Sequence, residues 1–460
     1  MVLWIGVDDT DSLQGMCTTF LATELVRELT REYDLIGYPR LVRLNPNIPW
    51  KTRGNGAICL RIGEGRGPSR VVGRIGDREI RSFPRSRSDP RPAEVRDRVA
   101  KVVETWSRFE DDTTNPAFAI LERPPSAGLY WKAVRHVVSL SEALRSAEGR
   151  GLVVRYKNGR GAIGALAAAA WRPRDRTYEV LAYRSESRWG TPRAIDSESV
   201  REMDRSFPST FNNYDFANDC VVIAPRSPCP VLFGIRGDDV SLLPQAMSAL
   251  RGEALDRWLL FETNQGTDDH VIPKARPNVN ETVRVTGRVT SPGRTLAGGH
   301  VVFRMGRVDV VAYEPSKQFR RVVRRLAVND RVRAIGAVRE VPRSLNLEKL
   351  EVLDLAVVTR KVANPFCQAC GKHAKSRGKG AGFRCARCGV RFPSEAATTI
   401  PVPRGLTTVW YEPPVGSRRH LSKPIKRMAR DGSHAGGRAG RLDAESRDSI
   451  SHFDRLDYLR

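Results

Sequence analysis

Two groups of residues have types and spacing that can do chemistry. The first is N-terminal: an apolar run of strand length, residues 2–7, leads into Asp8, Asp9 and Asp11. Carboxylates crowded in this way repel one another and are tolerated where they share a divalent cation, and Mg²⁺ with nucleotide phosphates is the usual hard-oxygen partner. After Gly15 the apolar spacing becomes helical, with Leu21, Leu25 and Leu29. Thr18 and Thr19 therefore fall in a first helical turn, where free backbone amides favour a phosphate. Taken alone, such an acidic turn is equally well explained as a solvated loop with an N-cap.

The second group is Cys367-x2-Cys370 and Cys385-x2-Cys388, with fourteen residues between the pairs. This is the spacing of a four-thiolate zinc ribbon, with Gly371 and Gly389 allowing a tight turn after each pair. Four thiolates leave Zn²⁺ no open position, so its role is structural. Lys372, Lys375, Arg377 and Lys379 in the intervening loop suit RNA phosphates, and His373 reads as solvent-facing rather than as a ligand. The remaining cysteines, Cys17, Cys59, Cys220 and Cys229, are scattered, which argues against a disulfide framework.

The elements that position these groups must form several domains, because 460 residues exceed one ordinary core. Lys and Arg outnumber Asp and Glu by 77 to 52, a net charge of +25, which favours a polyanionic partner, nucleic acid before an anionic membrane surface. Twenty basic and eight acidic residues lie from position 361 onward. No apolar run reaches membrane-spanning length and no secretory leader is present, so a soluble, cytoplasmic protein is expected.

In chain order, 41–44 and 57–62 read as strands. The connector between them carries Lys51, Arg53 and Asn55 among glycines and suits either a loop closing over phosphates or a plain turn. Residues 63–92, rich in Arg, Gly, Ser and Pro, read as an exposed, partly mobile loop. A helix over 93–108 follows, then a second acidic turn at Asp111 and Asp112, read as solvated, a strand over 117–121 and a helix over 130–147. A glycine-spaced turn at 157–161 opens the next helix. The strands 177–183 and 220–224, with a helix over 196–205 between them, indicate an α+β module. Its loops hold Arg236, Asp238, Asp239, Glu262, Asp268 and Asp269, while His270 reads as structural. Five strands over 282–290, 300–305, 308–313, 331–338 and 350–358 fit an oligonucleotide-binding (OB) barrel. Trp410 and Tyr411 near Arg418, Arg419 and Lys423 suit an RNA groove, and 430–460 reads as a mobile tail.

The wording IGVDDTDS with GMCTT, then KTRGN, PVLFGIRG and TNQGTD, and the terminal cysteine pairs, resembles the archaeal tRNA-Ile agmatidine synthetase family over most of residues 1–430. The resemblance implies a multidomain α+β architecture: a kinase-like α/β domain over 1–150, a ferredoxin-like domain over 151–275, an OB-fold over 276–360, a zinc ribbon over 361–395 and a basic RNA-binding segment and tail over 396–460. It implies that Asp8, Asp9 and Asp11 hold Mg²⁺ and ATP, that Thr18 is a phosphorylated threonine, and that Lys51, Arg53 and Asn55 contact ATP. Agmatine, an amine at one end and a guanidinium at the other, requires carboxylates, with Asp238, Asp239, Glu262, Asp268 and Asp269 as candidates. The implied reaction is ATP-dependent joining of agmatine to C2 of the wobble cytidine of tRNA-Ile bearing a CAU anticodon, through a phosphorylated cytidine. Two other readings compete. A non-enzymatic RNA-binding protein leaves the acidic turn unexplained, and a small-molecule ATP-dependent enzyme leaves the ribbon and basic C-terminal third unexplained.

Overall fold

In the computed structural model the described residues are 2–87, 90–273, 278–340 and 343–430. The tail 431–460 lies outside them. Strand Leu3–Asp8 runs antiparallel between Gly56–Gly63 and Ala117–Leu121. Period-2 alternation sends Leu3, Ile5, Val7, Ile58, Leu60, Phe118 and Ile120 to one face, against helices Thr18–Leu29 and Pro92–Trp106. The opposite face carries the smaller Ala57, Cys59 and Ala119 and is covered by helices Ala127–Arg135 and Gly161–Ala170.

Small residues decide how closely that second layer approaches. A Cβ at Gly6 would lie 2.1 Å from the Ala165 carbonyl oxygen, and one at Gly164 would lie 1.8 Å from Asp8 Oδ2. The alanine-rich helix therefore rests directly on the sheet, and its glycine leaves space for the carboxylate at the strand's end.

One twelve-stranded sheet passes through the first two blocks of the chain. Arg40–Arg43 pairs antiparallel with Gly56–Gly63 and parallel with Arg257–Thr263. The stretch expected as an exposed loop over 63–92 is instead largely sheet. Strands Arg70–Ile75 and Arg78–Phe83 form a hairpin, and the former pairs with Arg257–Thr263. Its exposed arginines conceal an inward set of Val72, Ile75 and Ile80, all buried. The expected helix over 130–147 is two short ones, Ala127–Arg135 and Leu140–Arg145, the second capped by Ser139. The strand expected over 220–224 is reduced to Cys220–Val221 by the prolines that follow.

Strands Thr282–Thr295, Val301–Met305, Val308–Ala312, Arg331–Arg339 and Ser344–Asp354 close into a barrel in which the last strand pairs with the third and fourth, and the fourth returns to the first. A short helix, Phe319–Arg324, plugs one end with Phe319, Val322 and Val323. The fifth strand starts earlier than its apolar pattern indicated and stops at Asp354, leaving Val357 exposed. Trp410 and Tyr411 do not form an RNA groove. They make a buried strand against Leu350 and Glu351, because aromatic rings of this size contribute most by completing a core. Among the described residues, no helix is long and apolar enough to cross a membrane.

Candidate active site

Asp8 ends the first strand, and Asp9 follows with φ at +60°, a left-handed turn that aims successive carboxylates in different directions. Asp9 Oδ2 accepts from Arg160 Nε at 2.7 Å, and Asp11 Oδ2 accepts from Arg53 Nε at 3.0 Å. Arg53 also donates to the Met16 carbonyl, fixing the loop before the first helix. Asp8 forms no ion pair among the described residues. Burial, followed by the charge of Asp9, pushes its pKa well up, against a hydrogen bond from the Asp9 backbone amide. Burial also raises Asp9, and Arg160 opposes that rise.

These residues line an open cavity together with Trp50, Lys51, Asn55 and His136. The structure thus brings together Asp8, Asp9, Asp11, Lys51, Arg53 and Asn55. Asn55 itself donates to the Asn45 carbonyl at 3.0 Å and shapes the loop's return. Thr18 stands outside the cavity wall, buried, with its hydroxyl 3.1 Å from that of Thr10. Cys17 caps its helix by accepting from Phe20. Asp111 is not merely solvated: it accepts from Ser12, Leu13 and Thr113, which hold its carboxyl well below the usual range and brace the acidic turn.

Arg160 was missed by sequence reasoning. The only signal was its place in the turn before helix Gly161–Ala170, whose glycine meets the backbone of Asp8 and Asn115. Trp50 was missed as well. Its half-exposed ring stands on the cavity wall and offers a face on which a base can stack.

The donor chemistry at Asp8 fits a hard cation, since a partly buried carboxylate without an ion-pair partner is costly. The three acids do not converge as a ready-made trident. Among the described residues, the one convergent set of three or more metal-type ligands is Cys367, Cys370, Cys385 and Cys388, whose sulfurs lie within 4.8 Å of one another. Gly371 and Gly389 take φ of +66° and +74° behind the two pairs, as tight knuckles require. Lys372, Lys375, Arg377 and Lys379 are exposed on the ribbon and form no ion pairs among the described residues. His373 is exposed too, and its Nδ1 lies 2.8 Å from the Asn364 carbonyl oxygen.

The five acids considered for agmatine do not share one site. Glu262 lies between Arg40 and Arg176, at 3.4 and 3.1 Å. Asp269 accepts from the Tyr130 hydroxyl at 2.6 Å. Asp238 faces Arg427 and Arg430, Asp239 accepts from Ser241, and Asp268 pairs with Lys349 at 2.6 Å. The C-terminal cations are likewise engaged within the chain: Arg418 with Glu412, Arg419 with Glu348, and Lys423 with Asp175. His270 is structural as expected, buried and 3.1 Å from Glu348 on the barrel.

A sheet-borne cavity with acids on one wall and a cationic loop on the other, followed by a five-stranded barrel and a four-thiolate ribbon, defines a multidomain α+β enzyme built to bring nucleotide chemistry to nucleic acid. Comparison with known proteins specifies it further. Models described as the TiaS TCKD domain, the TiaS FLD domain and the TiaS C-terminal zinc ribbon domain match residues 4–159, 159–270 and 364–406. The isoleucine-tRNA 2-agmatinylcytidine synthetase TiaS of Methanocaldococcus jannaschii is 39% identical over 443 residues, covering 93% of this chain and 99% of its own length. That of Archaeoglobus fulgidus is 39% identical over 448 residues, covering 94% and 99%. The crystal structure of a complex of TiaS with its isoleucine tRNA and ATP superposes with a TM-score of 0.80 at 37% identity, covering 95% of this chain and 99% of that one. A complex of TiaS with the same tRNA, AMPCPP and agmatine gives 0.78 at 35% identity, covering 96% and 100%. The chain belongs to the TiaS family of isoleucine-tRNA 2-agmatinylcytidine synthetases.

Proposed function

We infer that this protein uses ATP to join agmatine to C2 of the wobble cytidine in the CAU anticodon of tRNA-Ile, giving agmatidine and AUA decoding. The observation that carries this reading is the cavity where Asp8, Asp9 and Asp11 meet Lys51, Arg53 and Arg160, in a chain matching TiaS proteins almost end to end. The cytidine O2 is a poor leaving group. Phosphorylation turns it into a good one, after which the agmatine amine forms the C2–N bond and gives up a proton while the C2–O bond breaks and phosphate departs.

Lys51, Arg53 and Arg160 would meet the charge of the ATP phosphates, and Trp50 offers a stacking face. Asp8, Asp9 and Asp11 would hold Mg²⁺, which would screen phosphate charge there. Thr18, taken as the phosphorylated threonine, must leave its bond with Thr10 to reach a phosphate. Of the candidate agmatine acids, Glu262 and Asp269 contact the first block, through Arg40 and Tyr130, and the half-exposed Arg176 already offers Glu262 a guanidinium of the kind agmatine carries. In this reading the sheet blocks are the kinase-like (1–150) and ferredoxin-like (151–275) domains. The OB barrel (276–360), a Zn²⁺-loaded ribbon (361–395) and the basic segment (396–460) hold the remaining tRNA in the cytoplasm.

Labelled agmatine incubated with ATP, Mg²⁺ and CAU-anticodon tRNA tests the reading. Label should enter the tRNA only when protein and ATP are both present. Tight tRNA binding without transfer would favour the RNA-binding alternative.

A further inference from the structure

A second cavity lies between the second block and the C-terminal segment. Its wall carries Arg226, Arg236, Arg418, Arg419 and His420, and among the described residues no acid lines it. The partners of these arginines stand behind the wall: Glu179 behind Arg236, Glu412 behind Arg418 and Glu348 behind Arg419. Each pair directs its positive member inward. Arg226 is exposed and forms no ion pair among the described residues. His420 is exposed and opens into the cavity, and the charge of Arg43, joined by that of Arg236, holds its imidazole well below its usual pKa.

This chamber adjoins the ATP-type cavity. Gly54, on the wall of the first cavity, leaves so little room that a Cβ there would lie 3.2 Å from Arg43 and 3.7 Å from the His420 ring. The charge of Arg419 also lowers the Lys51 pKa, after burial, so cations of the two cavities share one field. Agmatine, a dication, is repelled by such a wall, whereas a phosphodiester is attracted.

Resting on the function proposed above, we propose that the second chamber binds the phosphodiester backbone of the single-stranded RNA flanking the modified cytidine, with Arg226 as a phosphate contact and His420 as a polar contact between the two cavities. The base is thereby held toward the acidic cavity by the charge of its own strand.

The test is equilibrium binding of the full chain to the CAU tRNA over a salt series, alongside ATP binding, for wild type, Arg226→Glu, Arg226→Lys and His420→Ala. Loss of one phosphate contact to a single strand lowers the salt slope by about 0.7 and weakens binding on the order of five- to tenfold near 0.1 M salt. Arg226→Glu should show at least that loss, Arg226→Lys should restore most of it, and His420→Ala should weaken RNA binding with an unchanged salt slope. Unchanged tRNA affinity and slope in Arg226→Glu would overturn the assignment. So would weakened ATP binding with intact tRNA binding, which would give the chamber to the nucleotide. Wild-type agmatine transfer, measured on the same preparation, separates failure of this inference from failure of the function itself.

Discussion

Removing the Asp268 carboxylate should destabilise the protein rather than weaken agmatine use. Asp268 sits at φ +62° after the second block. One oxygen accepts from Lys349 Nζ at 2.6 Å and the other from the Lys423 backbone amide at 2.7 Å, so one side chain ties together the second block, the barrel and the C-terminal segment. The Lys349 side chain is 0% exposed. Breaking a buried pair by deleting one partner costs about 3–5 kcal/mol, and an orphaned backbone amide adds about 1–3. The Glu412 carboxyl senses Lys349 and retains part of the compensation, so the loss in Asp268→Ala should be on the order of 4 kcal/mol. That is a large share of the roughly 5–15 kcal/mol typical of a folded domain. Chemical denaturation and limited proteolysis read it, and cleavage near 418–430 should appear first. Asp268→Asn with Lys349→Met, which removes both charges, should recover more than half of the loss. Stability within about 1 kcal/mol of wild type, together with a raised KM for agmatine, would refute the clamp and return Asp268 to the ligand.

Three further outcomes follow from the geometry. Gly164→Ala improves helix propensity by about 1 kcal/mol, but its Cβ would fall 1.8 Å from Asp8 Oδ2. The melting temperature should change little while agmatine transfer falls at least about tenfold, a loss of roughly 1.4 kcal/mol in transition-state stabilisation. Cys385→Ser should abolish the one zinc per chain expected from metal analysis and weaken tRNA binding, because three ligands do not close a structural site. Burial pushes the Glu348 carboxyl up, but Arg419 and His270 prevail and hold it at about 2. Its folded pKa is depressed, so its contribution to stability is complete above the ordinary glutamate range and is lost as pH falls toward about 2. Acid titration of Glu348→Gln should lack that component.

Local chemistry was legible in the sequence and long-range pairing was not. Asp8, Asp9 and Asp11 announced themselves because a strand, a turn and a helix lie consecutively within thirty positions. The cysteine pairs did so because ribbon ligands are local by construction. Arg70–Ile75 reads as a loop because its arginines and glycine outweigh an alternation that only its partner strand, Arg257–Thr263, makes meaningful. Trp410 looks like an RNA platform because nothing nearby in sequence shows that it completes a barrel begun at Thr282. Arg160 reaches Asp9 from 151 positions away, and Arg427 is buried between Asp175 and Asp238, some two hundred positions upstream. Composition records such cations as free charge, whereas the fold uses many of them as clamps.

The most direct test of the account is transfer of labelled agmatine to CAU-anticodon tRNA by wild type and Asp8→Asn side by side, with tRNA binding measured in both. Asn keeps the size of Asp8 and removes the one carboxylate of the turn that has no ion-pair partner among the described residues. The account predicts retained tRNA binding with transfer reduced by at least about a hundredfold, equivalent to roughly 2.7 kcal/mol. Transfer surviving at near wild-type rate in Asp8→Asn would contradict it and place the reacting phosphates elsewhere in the molecule.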